Sequence, residues 1–258
     1  MTIKKDVQNQ FGQNAENYVT SKIHKDGKDL TKLVEIAATT GNEKALDVAT
    51  GGGHTANALA PLVRHVVAFD LTQKMLDAAK RFIQRNGHNN VEFVKGDAED
   101  MSFDDGDFDI VTCRIAPHHF PNIKKFISEV HRVLKPGGQF LLDDNVVPED
   151  DDYDYFYNTI EKRRDYSHFR AWKKTEWLTM LERQGFEIQE WHRFEKTFIF
   201  DSWCQRMNLS EKEQYDLNEF IIKSTDKIQQ KFNIIIDGGK VKSFQGEAIL
   251  LKAIKTGV

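Results

Sequence analysis

Ala45-Leu46-Asp47-Val48-Ala49-Thr50-Gly51-Gly52-Gly53-His54-Thr55-Ala56 is the stretch that decides the fold. Its apolar start, interrupted by one aspartate, reads as a buried strand. The glycines read as a turn, and the residues after them as a helix. Glycine accepts positive φ and carries no Cβ, so a ligand can approach the backbone closely. The helix begins with unpaired N–H groups and a partial positive charge. Such a corner suits a nucleotide-like ligand. Which one, the stretch alone leaves open.

Outward from this corner the chain keeps a rhythm. Strands are expected at Val66–Asp70, Val91–Lys95, Phe108–Cys113 and Gln139–Asp143. Helices are expected between them at Thr55–Leu62, Gln73–Asn86 and Ile123–Val133, with Met75, Leu76, Ala79 and Ile83 facing inward on the second. Short apolar strands alternating with helices predict an α/β fold: a doubly wound, mostly parallel sheet with helices on both faces. Ligands then bind beyond the carboxyl ends of the strands. Asp47, Asp70, Asp97, Arg114 and Asp143-Asp144 are placed at or toward those ends.

On the N-terminal side, Phe11, Ala15 and Tyr18 share one helical face, either packing on the core or closing as a flap over the ligand. A second helix carries Leu30, Leu33, Val34 and Ala37 and ends in the manner of a glycine C-cap at Thr40-Gly41-Asn42. Past residue 148 the rhythm breaks. Helices are expected at Tyr153–His168, Thr175–Gln184, Phe200–Met207 and Glu211–Phe232, and a strand at Phe186–His192. A hairpin turning on Asp237-Gly238 and a final strand at Ala248–Ile254 complete the chain. The expected organisation is an N-terminal helical flap (1–40), a ligand-binding α/β core (41–148) and a C-terminal part (149–258) with lid insertions at 149–173 and 195–245.

At 258 residues and 40% hydrophobic composition, a full core is within reach and disorder is excluded as the general state. A net charge of -4 gives no global basic field for nucleic acid. Cys113 and Cys204 are the only cysteines, too few for a disulfide framework or a cysteine-rich zinc site. No His/Cys/carboxylate spacing marks a metal site, so no metal is expected. No apolar signal core opens the chain, and no apolar run nears the roughly 20 residues of a membrane span. A cytoplasmic protein is the expectation.

Gly51-x-Gly53-x-x-Ala56 nominally fits the dinucleotide fingerprint, and Asp70 follows Gly51 by 19 residues, close to the spacing of a ribose-binding acid. That alone does not separate an oxidoreductase from other ribose binders. Three further features do: a charged Asp47 inside the first strand, where it is costly without a task; Gly96-Asp97-Ala98-Glu99 after the third strand, placed to meet an adenine ring; and Phe103-Asp104-Asp105-Gly106-Asp107-Phe108-Asp109-Ile110-Val111 leading into the fourth. A dehydrogenase would continue with a second mononucleotide-binding half. Here the chain continues into an irregular, aromatic region.

Taken in order, Leu46–Gly53, Phe69-Asp70-Leu71-Thr72, Gly96–Phe103, Phe108–Val111 and Val133-Leu134-Lys135-Pro136-Gly137-Gly138 resemble the class I S-adenosylmethionine-dependent methyltransferases. The nearest resemblance is to the ubiquinone/menaquinone-biosynthesis C-methyltransferases and related small-molecule enzymes. It covers roughly residues 40–145 and the last strand. Ala49 stands where the family pattern often has its first glycine, and the cofactor is still expected to fit. The resemblance implies that Asp70 accepts from both ribose hydroxyls, that Leu71 and Met75 pack on adenine, and that Asp97 accepts from its amino group beside the Ala98 N–H. It implies that Ala49, Gly51 and Gly53 bring backbone to the methionine part, that Asp47 orients the turn or reaches the amino group through water, and that Arg114 lies near the sulfonium. Against these stand plainer roles: Asp70 as a helix cap, Asp97 as a turn residue, Arg114 in a salt bridge. Phe11 and Tyr18 are the candidates for closing over the cofactor.

Methyl transfer is a direct displacement in which the protein aligns two partners and excludes water. A general base depends on the acceptor, and His118 and His119, just past the fourth strand, are the candidates for catalytic residues. The Asn/Asp-Pro-Pro-aromatic motif of amino- and amide-directed DNA and protein methyltransferases is absent from Arg114–His119, which weighs against a nucleic-acid substrate. The expected partner is a small-molecule acceptor methylated on carbon or oxygen. Tyr153, Tyr155, Phe156, Tyr157, Tyr166, Phe169, Trp172, Phe198, Phe200 and Trp203 line either an apolar or aromatic acceptor pocket or the lid's own core. Arg163, Arg164, Arg170, Lys173 and Lys174 either select an anion or form a solvated face. A non-catalytic S-adenosylmethionine binder and a nicotinamide-dependent oxidoreductase are the alternatives.

Overall fold

The computed structural model describes residues 3–19 and 27–257, with the backbone alone for 13–19. Its centre is β1 (Lys44–Val48), paired in parallel with β2 (His65–Asp70) on one side and β4 (Phe108–Arg114) on the other. β3 (Val91–Lys95) lies outside β2, and β5 (Leu134–Val147) beyond β4. The antiparallel pair β7 (Phe186–Ile199) and β9 (Lys240–Lys255) closes the sheet, in the order β3-β2-β1-β4-β5-β9-β7. Two short strands, β6 (Trp172–Lys173) on β5 and β8 (Ile235–Asp237) on β9, bring the total to nine. This is the expected doubly wound sheet, and the strand order reverses between β1 and β4.

The helices take both faces because neighbouring strand residues point opposite ways. Leu46 and Val48 face a cluster with Phe126, Val130, Trp177 and Leu181, from α5 (Ile123–Val133) and α7 (Lys174–Arg183). Ala45, Val66 and Ile110 face Leu33, Leu59 and Ile83, from α2 (Lys28–Ala37), α3 (His54–Leu59) and α4 (Gln73–Arg85). The N-terminal helix α1 (Ile3–Val19) lies on α4, where Phe11 joins Met75 and Ala78. The left-handed residue closing α2 is Ala38 (φ 47) rather than Gly41.

The C-terminal region departs from expectation in three places. β7 runs to Ile199, so residues 195–199 belong to the sheet and not to an insertion. The long helix over 211–232 is two, α9 (Glu211–Ile222) and α10 (Asp226–Lys231), because the Thr225 hydroxyl caps a new start on Ile228 N. The aromatics of α6 (Asp151–Arg164) and α8 (Phe200–Gln205) turn mostly into a core of their own. Phe156, Tyr157, Phe200 and Trp203 are buried there with Phe232 and Phe244, while Tyr155, Tyr166 and Phe169 are exposed. Among the described residues no helix is long and apolar enough to cross a membrane.

Phe156 is 2% exposed, with ring centroids 5.1 Å from Phe232 and 6.0 Å from Phe220. Phe156→Ala should lower unfolding free energy by about 3–5 kcal/mol in denaturant titration. A loss below about 1 kcal/mol would show that this layer is not packed as described.

Candidate functional site

The glycine turn is held by Asp47. Its carboxylate is 1% exposed and accepts from Thr50 Oγ1 (2.6 Å), Thr112 Oγ1 (2.7 Å) and Ala56 N (3.1 Å). β1, the turn, the start of α3 and β4 therefore converge on one side chain. Burial pushes its pKa up to about 6 against the pull of those hydrogen bonds. Gly53, at φ 82, begins α3, and a Cβ there would come within 2.9 Å of Ala79 Cβ and 3.0 Å of Ile83 Cδ1. Ala49 sits at φ 54, a left-handed conformation that costs a residue with a Cβ roughly 1–2 kcal/mol. That strain explains why a glycine would be at ease there and shows that the turn keeps its shape without one.

At the end of β2, Asp70 Oδ2 accepts from Gly51 N (2.9 Å) and Oδ1 from Thr72 N (2.8 Å). A carboxylate offers about four lone-pair sites, so each oxygen keeps one toward the cavity. Burial again pushes the pKa up, to about 6, and the nearby Asp47 charge adds to the shift. After β3, Asp97 Oδ1 accepts from Glu99 N (2.9 Å), and its Oδ2 meets Lys4 Nζ at 2.6 Å. Lys4 also reaches Glu99 Oε2 at 2.6 Å. Lys4 gave no sequence signal: it is one more charge in a polar N-terminus, brought here only by the docking of α1.

These groups line one cavity of about 1040 Å³ with Ala49, Gly51, Leu71, Met75, Ala98, Arg114 and Phe11. Gly53 lies behind it, against α4. Tyr18 lies in the backbone of α1, and its side chain falls outside the described residues.

Arg114 spans two environments. It lines this cavity, while its Nε and Nη2 donate to Asp29 Oδ2 at 3.0 and 2.8 Å, and Nε lies 3.3 Å from Asp143 Oδ2. Asp143 is fully buried in mid-β5, and burial pushes its pKa up to about 8. Burial acts upward on Asp29 too, but Asp143, Arg114 and Lys196 outweigh it and bring Asp29 down to about 2. Asp143 therefore favours its protonated form and Asp29 its charged form. Asp29 had no motif to mark it.

Asp29 opens on a second cavity, of about 1160 Å³, which meets the first along Phe11, Ile115 and His119. Ile115 is β-branched yet holds φ 54, with its N–H bonded to Asp143 O at 2.7 Å. Such strain persists only where surrounding structure enforces it, and it gathers at functional sites. Most of the aromatics singled out take the second of their two expected places, the lid's own core. Of the aromatics singled out, only Phe198 and Trp203 line this cavity. Of the basic residues, only Arg164 does, while Arg170, Lys173 and Lys174 are engaged by Asp154, Asp151 and Glu247, and Arg163 covers Phe220. Lys196 and Arg206 stand on the wall instead.

The two candidate histidines separate. His118 Nδ1 lies 2.6 Å from Asp144 Oδ1 and faces the second cavity; Asp144 overcomes the effect of burial and raises its pKa. His119 borders both cavities, edge-on to Phe11 at 5.1 Å. Its Nδ1 lies 3.0 Å from Ser167 O, an acceptor, so Nδ1 carries the proton and Nε2 the lone pair. Burial, then the His118 charge, hold its pKa down to about 4, so the ring is neutral at pH 7. Asp165 Oδ2 lies 4.0 Å from Nε2.

Asp47→Ala would strand the Thr50 and Thr112 hydroxyls and the Ala56 N–H. Unfolding free energy should fall by about 2–4 kcal/mol in denaturant titration. An unchanged midpoint would mean that Asp47 is not the pin of the turn.

A methyltransferase-domain family model matches residues 46–142. An uncharacterised methyltransferase of Bacillus subtilis is 35% identical over 246 residues, covering 95% of this chain and 97% of the relative. A solved structure of a candidate methyltransferase from Bacillus halodurans is 58% identical, covers 90% of this chain and all of that one, and superposes with a TM-score of 0.88. The ubiquinone/menaquinone biosynthesis C-methyltransferase of Brucella canis is 28% identical over 180 residues, 58% of this chain and 64% of that one. With the strand order, the pinned turn and the acids after β2 and β3, these likenesses identify the chain as a member of the class I S-adenosylmethionine-dependent methyltransferases.

Proposed function

We propose that this methyltransferase acts on a small-molecule acceptor held in the second cavity, and that His119 takes the acceptor's proton. The shared wall carries this reading: Phe11, Ile115 and His119 border both cavities, so a methyl donor in one faces an acceptor in the other. Asp70 offers its remaining lone pairs to the ribose hydroxyls, and Asp97 one to the adenine amino group beside the Ala98 N–H. Leu71 and Met75 flank the adenine. Ala49 and Gly51 bring backbone to the methionine part with Gly53 shaping the turn, Asp47 orients that turn, and Arg114 stands by the sulfonium side. Phe11, on α1, closes the site.

The bound cofactor supplies an activated methyl group. The chain's own part is to bind, orient, exclude water and move one proton. His119 Nε2 accepts that proton as the acceptor's nucleophile takes the methyl, Ser167 O fixes the tautomer, and Asp165 faces the imidazolium that forms. His118, held by Asp144, is a second candidate with a positioning role. A neutral imidazole suits a hydroxyl or an acidic C–H as acceptor, so oxygen or carbon is favoured, in line with the named C-methyltransferase relative. A net charge of -4 favours a small molecule over nucleic acid. Cys113 and Cys204 are free and buried, in keeping with a reducing compartment and the proposed cytoplasmic location.

Calorimetry with S-adenosylhomocysteine tests the cofactor assignments. Asp70→Ala should weaken binding by about 2–4 kcal/mol; unchanged affinity would remove Asp70 from the ribose. Protonation of Asp70 removes lone pairs the hydroxyls need, so affinity should fall as pH drops through about 6 and stay flatter in Asp70→Asn. An affinity independent of pH in the wild type would contradict this role. Once an acceptor is known, His119→Ala should lower kcat by about 10²–10⁴-fold with little change in cofactor affinity. Full kcat in that variant would rule out the base.

A further inference from the structure

We infer that Asp144 is a positioning residue of the methyl-transfer site: it holds the one proton charge of a histidine pair on His118 and so keeps His119 a neutral ring, able to take a proton. The inference rests on the reading of His119 as the base. Asp144 is fully buried on β5 and accepts three hydrogen bonds. His118 N donates at 2.8 Å and Asn145 N at 2.9 Å, and His118 Nδ1 lies 2.6 Å from Oδ1. The carboxylate thus grips His118 by its backbone and its ring together. A carboxylate only accepts, so Nδ1 points a proton at it.

Geometry decides which ring of the pair is charged. The His118 and His119 centroids lie 4.2 Å apart, and both side chains are buried. Two imidazolium charges so close in a dry site repel strongly, so the pair takes one charge well before it takes two. His118 has a carboxylate against its ring. His119 has Ser167 O at 3.0 Å and Ser167 Oγ at 3.4 Å, both uncharged, with Asp165 Oδ2 4.0 Å from Nε2. Asp165 is itself engaged by Ser167 N (2.8 Å) and Ser167 Oγ (2.5 Å). The remaining charges around the pair keep this order. Glu161 on α6 favours the charge on His118 as Asp144 does, and it is matched by Arg164 at 2.8 Å. Asp144 and Asp165 pull His119 upward, but less than burial and the His118 charge push it down. His168, with its ring 5.5 Å from His118 and 6.5 Å from His119, stays neutral. Burial, the two histidines, Arg164 and Lys162 all disfavour its charge, and its Nε2 lies 2.9 Å from Asn158 Oδ1.

This division of labour serves the reaction. His119 borders both cavities, whereas His118 borders the second alone. Two neutral rings would compete for the acceptor's proton, and a His118 that is already charged removes that choice. Its charge also faces the side on which the acceptor becomes negative as its proton leaves. The same charge weakens His119 as a base, so the proton it takes has to be an acidic one.

Nitrogen NMR of the histidine rings, on the full chain saturated with S-adenosylhomocysteine, tests this, because the ring nitrogen shifts report charge and tautomer. His118→Gln, His119→Gln and His168→Gln assign the signals. At pH 7 the wild type should show His118 as imidazolium and His119 as a neutral ring with its proton on Nδ1. Asp144→Asn keeps an acceptor oxygen for the two backbone N–H groups. In that variant His118 should turn neutral, and the His119 titration midpoint should rise by about 1 pH unit or more. His118→Gln removes the same charge with the carboxylate still in place and should raise the His119 midpoint likewise, which keeps the test open if Asp144→Asn does not fold. In the His118→Gln background, adding Asp144→Asn should no longer raise it. A neutral His118 in the wild type, a His119 midpoint that fails to rise in the folded single variants, or a rise from Asp144→Asn that survives without His118 would overturn the inference. A merely structural Asp144 would give the last result. With an acceptor in hand, the acid limb of the kcat profile should move up with the His119 midpoint in Asp144→Asn, and a limb that stays in place would contradict the link to the reaction. Full kcat in His119→Ala contradicts the base itself and leaves the distribution of charge between the rings standing.

Discussion

The buried carboxylate of Asp47 is the constraint on which the rest depends. It stands in the middle of the sheet, where an unpaired charge is costly, and its cost is offset by tying β1 to the turn, to the Ala56 N–H in the first turn of α3 and to Thr112 on β4. Thr112 lies beside Asp47 in the register of the β1–β4 pair, across the point where the strand order reverses. The turn therefore cannot shift without breaking the sheet at its centre. That rigidity lets a strained Ala49 serve where glycine would be easier, and it holds Gly51 N against Asp70.

From that fixed corner the site is built outward in two steps. The first cavity takes its polar groups from the ends of β2 and β3 and its cover from α1, through Phe11 and Lys4. The second is walled by the segments after β4 and β5 and by the long edge strand β7. Ile115 and His119 stand where the two meet. The left-handed Ile115 turns the chain sharply after β4, and this sets His119 against Phe11. Backbone strain at this point is offset by the Ile115 N–H bond to Asp143 in the adjoining strand.

Much of this was legible in the sequence. The strand-and-helix rhythm over residues 45–147 follows from period-two and period-3.6 patterns that buried parallel strands and amphipathic helices must obey. Asp47 and Asp70 stood out because a charge in or ending an apolar strand needs a task. What stayed hidden depended on long-range assembly. Lys4 and Asp29 reach the site only through helix docking. The paired state of Arg170, Lys173 and Lys174 depends on acids in distant segments. Lys196 had a faint local signal: the alternation read over Phe186–His192 continues through Phe194, Lys196 and Phe198, and extending it would have put that lysine on a strand face beside Phe198. The aromatic residues misled because composition cannot tell a pocket lining from a lid's own core.

A crystal structure of the full chain with S-adenosylhomocysteine bound tests the central claim most directly, since that claim is one of geometry. The account predicts ribose hydroxyls on Asp70 and a sulfur that faces the shared wall of Ile115 and His119, open toward the second cavity. A sulfur pointing away from that wall, or a ligand seated without contact to Asp70, would contradict it.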